Sequence, residues 1–350
     1  MIDYSLLKQT PRILFEAQLA SAQGDRFQPT GFADIGAAEY TRPDVDGTSG
    51  VQMLLVESAQ SVANRLEKTC LDGDGPGIDA ELTGLPYLLA RLEGATSEPL
   101  LTSSLVEPHR LASPYFLRSE FKERLSSEMA YTGKGPLNWK RIYGVLFKYD
   151  PNCLIHGVFL SLLGDGRVRV ARALSGFIEA ENAKQVVSGG VKNSPVDPKG
   201  EIQVEGKEHE SGVYSNVPYS RTEYVAEKIT AFFNLDLGQI RSYDLGDAGT
   251  RLLTALALLK VRRFLAGDLR LRTACNLVLK GEVSATAPKG ITLPKESELL
   301  SEVKNLISQC KQQFSDPAVT ELRIPVKVVQ AKSKSSPKNK PAEEPGDDTN

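Results

Sequence analysis

Residues 12–20, RILFEAQLA, alternate Ile13, Phe15, Ala17 and Leu19 with Leu14, Glu16 and Gln18, the period-two signature of a half-buried strand. Further along, Val51, Leu54, Leu55, Ala59, Val62 and Leu66 recur at steps of three and four. That spacing predicts an amphipathic helix through residue 68, capped by Thr48 or Ser49. Its other side carries Glu57, Gln60, Ser61, Asn64, Arg65 and Lys68. The centre of that side is Ser, Gln and Asn, mediocre helix formers but good neutral hydrogen-bonding groups, where surface helices usually place Lys and Glu.

Residues 70–150 mix helical periodicity with Pro and Gly breaks and predict a mainly helical insertion. LIHGVFLSLL and RVRVARAL flank a Gly-Asp-Gly turn and predict a β-hairpin. Residues 181–218 are rich in Gly, Pro, Ser, Lys and Glu, which fits a flexible loop or a projecting hairpin arm. RTEYVAEKITAFFN and GTRLLTALALLKVRRFLAG read as helices and DLRLRTACNLVLKGEV as a last core strand. SELLSEVKNLISQCKQQF reads as another helix, and ELRIPVKVVQ as a closing strand that Pro325 confines to an edge. The stronger elements run β-α-β-β-α-β, so the expected class is α+β with a modified ferredoxin-like, RNA-recognition core. Its parts are 1–69 (first part of the core), 70–150 (insertion), 151–180 (core hairpin), 181–220 (arm), 221–330 (rest of the core with the final helix and strand) and 331–350 (a low-complexity disordered tail).

Composition limits the functional classes. With 41% hydrophobic residues the chain can bury a core, and 42 Lys and Arg against 44 Asp and Glu leave a net charge of -2. A nucleic-acid site must therefore be local. No apolar run reaches the ~20 residues of a membrane span, and residues 1–19 lack a secretory pattern. A cytoplasmic protein is expected, with no membrane partner. Cys70, Cys153, Cys275 and Cys310 are widely spaced, as reduced structural thiols are. His109, His156 and His209 form no metal-ligand spacing, and DGDGPGIDAEL puts Pro76 and Thr83 where a calcium loop needs ligands. No phosphate-binding glycine motif occurs. No metal and no cofactor are expected.

What remains suits a sugar-phosphate chain. Arg26, Gln28 and Thr30 in RFQPTGF offer charge and side-chain donors just after the first strand. Phe27 and Phe32 read as core anchors before they read as base-stacking groups. The pairs His109-Arg110, Arg167-Arg169 and Arg270-Arg272 add positive charge, which serves a solvated face equally well.

RFQPTGFADIGAAEY, LLVESAQSVANRLE, EPHRLASPY, HGVFLSLL, ARALSGFIEAENA, SGGVK, SNVPYSRTEY, NLDLGQIRSY and LRLRTACNL follow one another across residues 10 to 285. Together they resemble the backbone subunit of type I-G (formerly I-U) CRISPR effector complexes, a branch of the Cas-seven superfamily. The resemblance implies a palm with a helical insertion and a thumb hairpin, and a non-catalytic protein that polymerises along CRISPR RNA. Its partners would be that RNA, target DNA through guide pairing, further copies head to tail and the other effector subunits. It carries RNA contact to Ser58, Gln60, Ser61, Asn64 and Arg65, and to His109, Arg110, Tyr219, Arg221 and Arg241 in the matching motifs. Val191, Tyr214 and Val217 become the candidate wedges between bases. The sequence lacks the aromatic signature of ordinary RNA-recognition domains, which favours gripping the backbone over stacking on the sheet. The alternatives are an RNA-processing endoribonuclease using His109 or His156, and a protein-interaction scaffold without nucleic acid.

Overall fold

The computed structural model describes residues 4–32, 36–43, 47, 50–73, 75–94, 99–131, 133–198, 216–267 and 269–325. The tail at 331–350, Tyr214, His209 and both expected cap residues, Thr48 and Ser49, lie outside the described residues.

β1 (Arg12–Ser21) forms as the alternation predicts, with Ile13, Phe15, Ala17 and Leu19 buried. β2 (Glu39–Pro43) pairs with β3 (Gly50–Glu57), and α1 (Ala59–Lys68) follows directly. The expected helix thus begins only at residue 59, with Ser58 as its cap accepting from the Ser61 N–H at 3.3 Å. Val51 to Val56 is one apolar run, whose periodicity alone cannot separate strand from helix. Pairing with neighbours on both edges makes it a strand.

The insertion holds α2 (Phe121–Met129) and α3 (Trp139–Tyr149), but also β4 (Tyr87–Glu93) and β5 (Leu100–Ser103), so it is less helical than expected. The predicted hairpin at 154–174 shrinks to a ladder of Val158–Phe159 with Arg169–Val170, and Asn152–His156 is helical. Gly157, at φ +83, sets the break: a Cβ there would meet the Val170 carbonyl oxygen at 2.8 Å.

The central strands are instead β6 (Leu174–Glu181) and a stretch expected to be helical. β7 (Lys184–Asn193) and β8 (Asn216–Val225) form a two-stranded arm, and β9 (Lys228–Asp236) returns to the sheet. Ile229, Ala231, Phe233 and Leu235 are all buried on one side of β9. That period of two identifies a strand in a segment whose sequence read as a helix.

α4 (Gly246–Ala266) is the long buried helix, and the expected last strand is a hairpin, β10 (Leu269–Arg272) and β11 (Cys275–Leu279), turned at Ala274 with φ +59. α5 (Glu296–Cys310) packs on α4, and β12 (Val319–Pro325) pairs in parallel with β4 at the edge of a three-stranded sheet β12-β4-β5, as Pro325 required.

The main sheet runs β10-β11-β1-β9-β6-β3-β2, with Ala285–Ala287 beside β1. One face presents Phe15, Phe233, Ala231, Ile178 and their neighbours to α1 and α4, and carries the main core. The sheet curls far enough that Arg272 of β10 ion-pairs with Glu57 of β3, near opposite ends of that order.

Candidate nucleic-acid interface

The loop after β1 returns across the curl. Gln28 N–H donates to Ala274 O at 2.8 Å, Thr30 N–H to Val56 O at 3.0 Å, and Phe27 bridges to Tyr224 of β8. Phe27 is buried, the anchor reading of that residue. The loop is thereby fixed to β3, β8 and the β10–β11 turn at once.

Beneath it lies a carboxylate that the helical reading placed on a polar face. Glu57 is 1% exposed and pairs with Arg272 and, at 3.7 Å, with Arg65. Arg272 also donates to Gln28 O at 2.9 Å, and Arg65 to the Arg270 and Leu271 carbonyls. A buried carboxylate answered by two arginines locks α1 to β10. Nothing local in the sequence announces it, because Glu57 and Arg272 are 215 positions apart.

The lock orients what stays outside. Gln60 and Asn64 are exposed on α1, Ser58 and Ser61 half-buried. Arg26 has a side chain 59% exposed and reaches the buried Glu223 at 3.6 Å; Arg221 meets the same carboxylate at 3.3 Å and lies over the Tyr219 ring at 5.7 Å. Tyr219 itself is half-exposed, its ring resting over Gly190, where there is no side chain to obstruct it. A groove of about 800 Å³ runs between residues 21–26, Glu223, Arg270 and the 273–276 turn. Arg26, Arg221 and Tyr219 therefore gather at the Glu223 side of this groove and Arg65 anchors α1 at its Arg270 side, an arrangement in which exposed cations can meet phosphate groups.

Three sequence candidates stand apart. Arg110 is 8% exposed, with φ +51, and holds Glu67 by two bonds of 2.5 and 2.7 Å while donating to Gly157 O at 3.0 Å. It fastens the end of α1 to the insertion. His109 beside it is exposed. Arg241, in the short helix Leu237–Ser242, donates to Leu7 O at 3.1 Å and lines a separate cavity of about 300 Å³. Of the wedge candidates, Val191 is exposed on β7 and Val217 lies in β8 opposite Lys192.

The endoribonuclease alternative placed acid–base chemistry on His109 or His156, of which His109 is exposed. His156 is 1% exposed with neither ring nitrogen hydrogen-bonded, and burial, then Lys260, Arg110 and Arg172, push its pKa well below the usual value. A buried neutral imidazole without a partner has no route to a substrate. All four cysteines are buried and free, and burial raises the thiols of Cys153, Cys275 and Cys310. Among the described residues no three metal-type ligands come together, and no helix is long and apolar enough to cross a membrane.

Residues 13–185 match the family model described as CRISPR-associated protein GSU0053. No curated protein matches the chain. Among solved structures, a chain of a "CRISPR RNA-guided surveillance complex, pre-nicking" is similar at 17% identity, with 78% of this chain and 75% of that chain covered and a TM-score of 0.39. Csc2 of Thermofilum pendens is similar at 11% identity, with 86% and 76% covered and a TM-score of 0.31.

Proposed function

We propose that the chain is a non-catalytic CRISPR RNA-binding backbone subunit of the Cas-seven type, of subtype I-G, polymerising head to tail along a guide so that the guide can pair with target DNA. The observation that carries the reading is the match of residues 13–185 to a CRISPR-associated family, a span that contains both the 26–30 loop and α1. The ferredoxin-like palm is supported by the antiparallel order β11-β1-β9-β6 with α1 and α4 as the two crossovers. In this reading the β7–β8 arm is the thumb, extending the two central strands, with Val191, Tyr214 and Val217 as its candidate wedges. Gln60, Ser61, Asn64, Arg26 and Arg221 grip the sugar-phosphate chain, which gives register without base identity. The partners are the guide, the other effector subunits and neighbouring copies, in the cytoplasm.

The test is to purify the protein with the products of neighbouring genes and sequence the RNA that comes with it. Discrete RNAs carrying a common repeat are expected. Absence of RNA, or random fragments, would overturn the reading.

A further inference from the structure

The inward carboxylates of the protein are not held alike. Glu57 takes Arg272 and Arg65, and Glu67 takes Arg110 through bonds of 2.5 and 2.7 Å. Glu223 is 5% exposed, yet its two oxygens meet Arg221 Nε at 3.3 Å and Arg26 Nη1 at 3.6 Å, longer than the about 2.7–2.9 Å of a close charge-assisted hydrogen bond. Among the described residues Arg221 Nε makes no hydrogen bond. A carboxylate withdrawn from water and held by loose ion pairs keeps unused acceptor capacity.

That capacity faces the groove. Glu223 lines it together with Asp25, Arg26, Arg270 and Asn276. Tyr219, Arg221 and Glu223 occupy alternate positions of β8 and so share one face. Exposure falls along that face from 52% at Tyr219 to 5% at Glu223. The carboxylate therefore forms the floor, beside two guanidinium groups that remain partly in solvent.

A floor of this sign selects what can lie on it. A phosphate oxygen carries negative charge and no proton, so the carboxylate repels it and the arginines must take it. A metal ion is opposed by two guanidinium groups within 3.6 Å of the carboxylate. A neutral donor between phosphates is what fits, and a ribose 2′-hydroxyl supplies one at each nucleotide of RNA and at none of DNA. Carboxylates take ribose hydroxyls in this way in dinucleotide-binding folds.

We infer that Glu223 accepts a hydrogen bond from the 2′-hydroxyl of a nucleotide whose neighbouring phosphates lie on Arg26 and Arg221, and that this contact makes the groove discriminate RNA from DNA. The inference rests on the RNA-binding reading and names the residue that sets its selectivity. Removing the carboxylate leaves both arginines free for phosphate, so the loss should appear as lost discrimination and not as lost affinity.

The experiment titrates the full-length protein with fluorescent single-stranded oligouridylate and with 2′-fluoro and 2′-deoxy oligomers of the same bases and length. The 2′-fluoro sugar keeps the pucker of ribose and lacks the proton. The wild-type chain should bind the ribose probe about tenfold more tightly than the 2′-fluoro probe. Glu223→Leu should bind these two probes alike, and Glu223→Gln, a neutral acceptor of the same shape, should fall between; thermal unfolding checks that each variant is folded. Equal affinity of the wild-type chain for ribose and 2′-fluoro probes would overturn the inference and leave the RNA-binding reading standing. A preference undiminished in every folded variant would also overturn it, by placing the discrimination elsewhere. Binding to none of the probes would overturn the RNA-binding reading and the inference together.

Discussion

Arg65, Arg110 and Arg272 end inside the protein, on Glu57, Glu67 and backbone carbonyls, whereas Arg26 is more than half exposed and meets Glu223 through one long contact. Arg65 and Arg272 hold α1, the 26–30 loop and the β10–β11 hairpin in register, and Arg110 fastens the far end of α1 to the insertion. Outward, α1 presents an almost uncharged surface, with Gln60 and Asn64 exposed and Ser61 half-buried. In the proposed RNA-binding role, a chain of near-zero net charge would meet phosphates with neutral groups, its charge serving orientation first and contact second.

Breaking the inner set should cost stability. Glu57→Ala leaves two arginines facing an emptied buried site, and unfolding in denaturant should show a loss of about 3 kcal/mol. Arg110→Ala strands the Glu67 carboxylate at the far end of α1, with an expected loss of about 2–3 kcal/mol; RNA affinity of the folded fraction should change little. An unchanged midpoint for either variant would mean that the ion pairs do not organise the helix.

Breaking the outer set should leave the midpoint alone. Gln60→Ala combined with Asn64→Ala is expected to weaken RNA binding by about 1–2 kcal/mol, roughly tenfold, in a filter or fluorescence titration. Arg26→Ala has a smaller effect on affinity and should lower the slope of log K against log salt by about 1. A change in slope as large for Arg110→Ala would erase the distinction between the two sets.

The third comparison is with pH. His156 is held neutral by burial in the fold, with an ordinary value of 6.5 outside it. Below that pH the unfolded chain takes up a proton that the native chain refuses, so stability falls as pH falls, by up to about 1.4 kcal/mol per unit from this one group. Asp150, whose carboxyl burial pushes up, acts with the opposite sign and is common to both proteins compared. His156→Leu should flatten the acid limb of a stability profile measured below pH 6.5, and an unaltered limb would contradict it.

Of the main sheet, β1 was legible from period-two alternation, its four successive inward residues all buried, and the β10–β11 stretch was read as strand though not as a hairpin. The strand at 50–57 was not, because a continuous apolar run feeding a helix carries both periods. Nor was β9, whose flanking polar arm hid its start. At the site, the exposed amides of α1 and the basic loop could be picked out by residue type. Glu57 and Glu223 could not, since each acquires its meaning from arginines brought in by the curl of the sheet or by the return of the loop. For the same reason Arg110 looked like a contact residue: its charge is visible in sequence, its commitment to Glu67 is not.

The most direct measurement is the structure of the chain assembled on RNA, read at α1. The account predicts side-chain atoms of Gln60 and Asn64 within about 3 Å of phosphate or ribose oxygens, with Arg65 still on the β10 carbonyls. Gln60 and Asn64 packed into protein, with no nucleotide within hydrogen-bond reach, would contradict it.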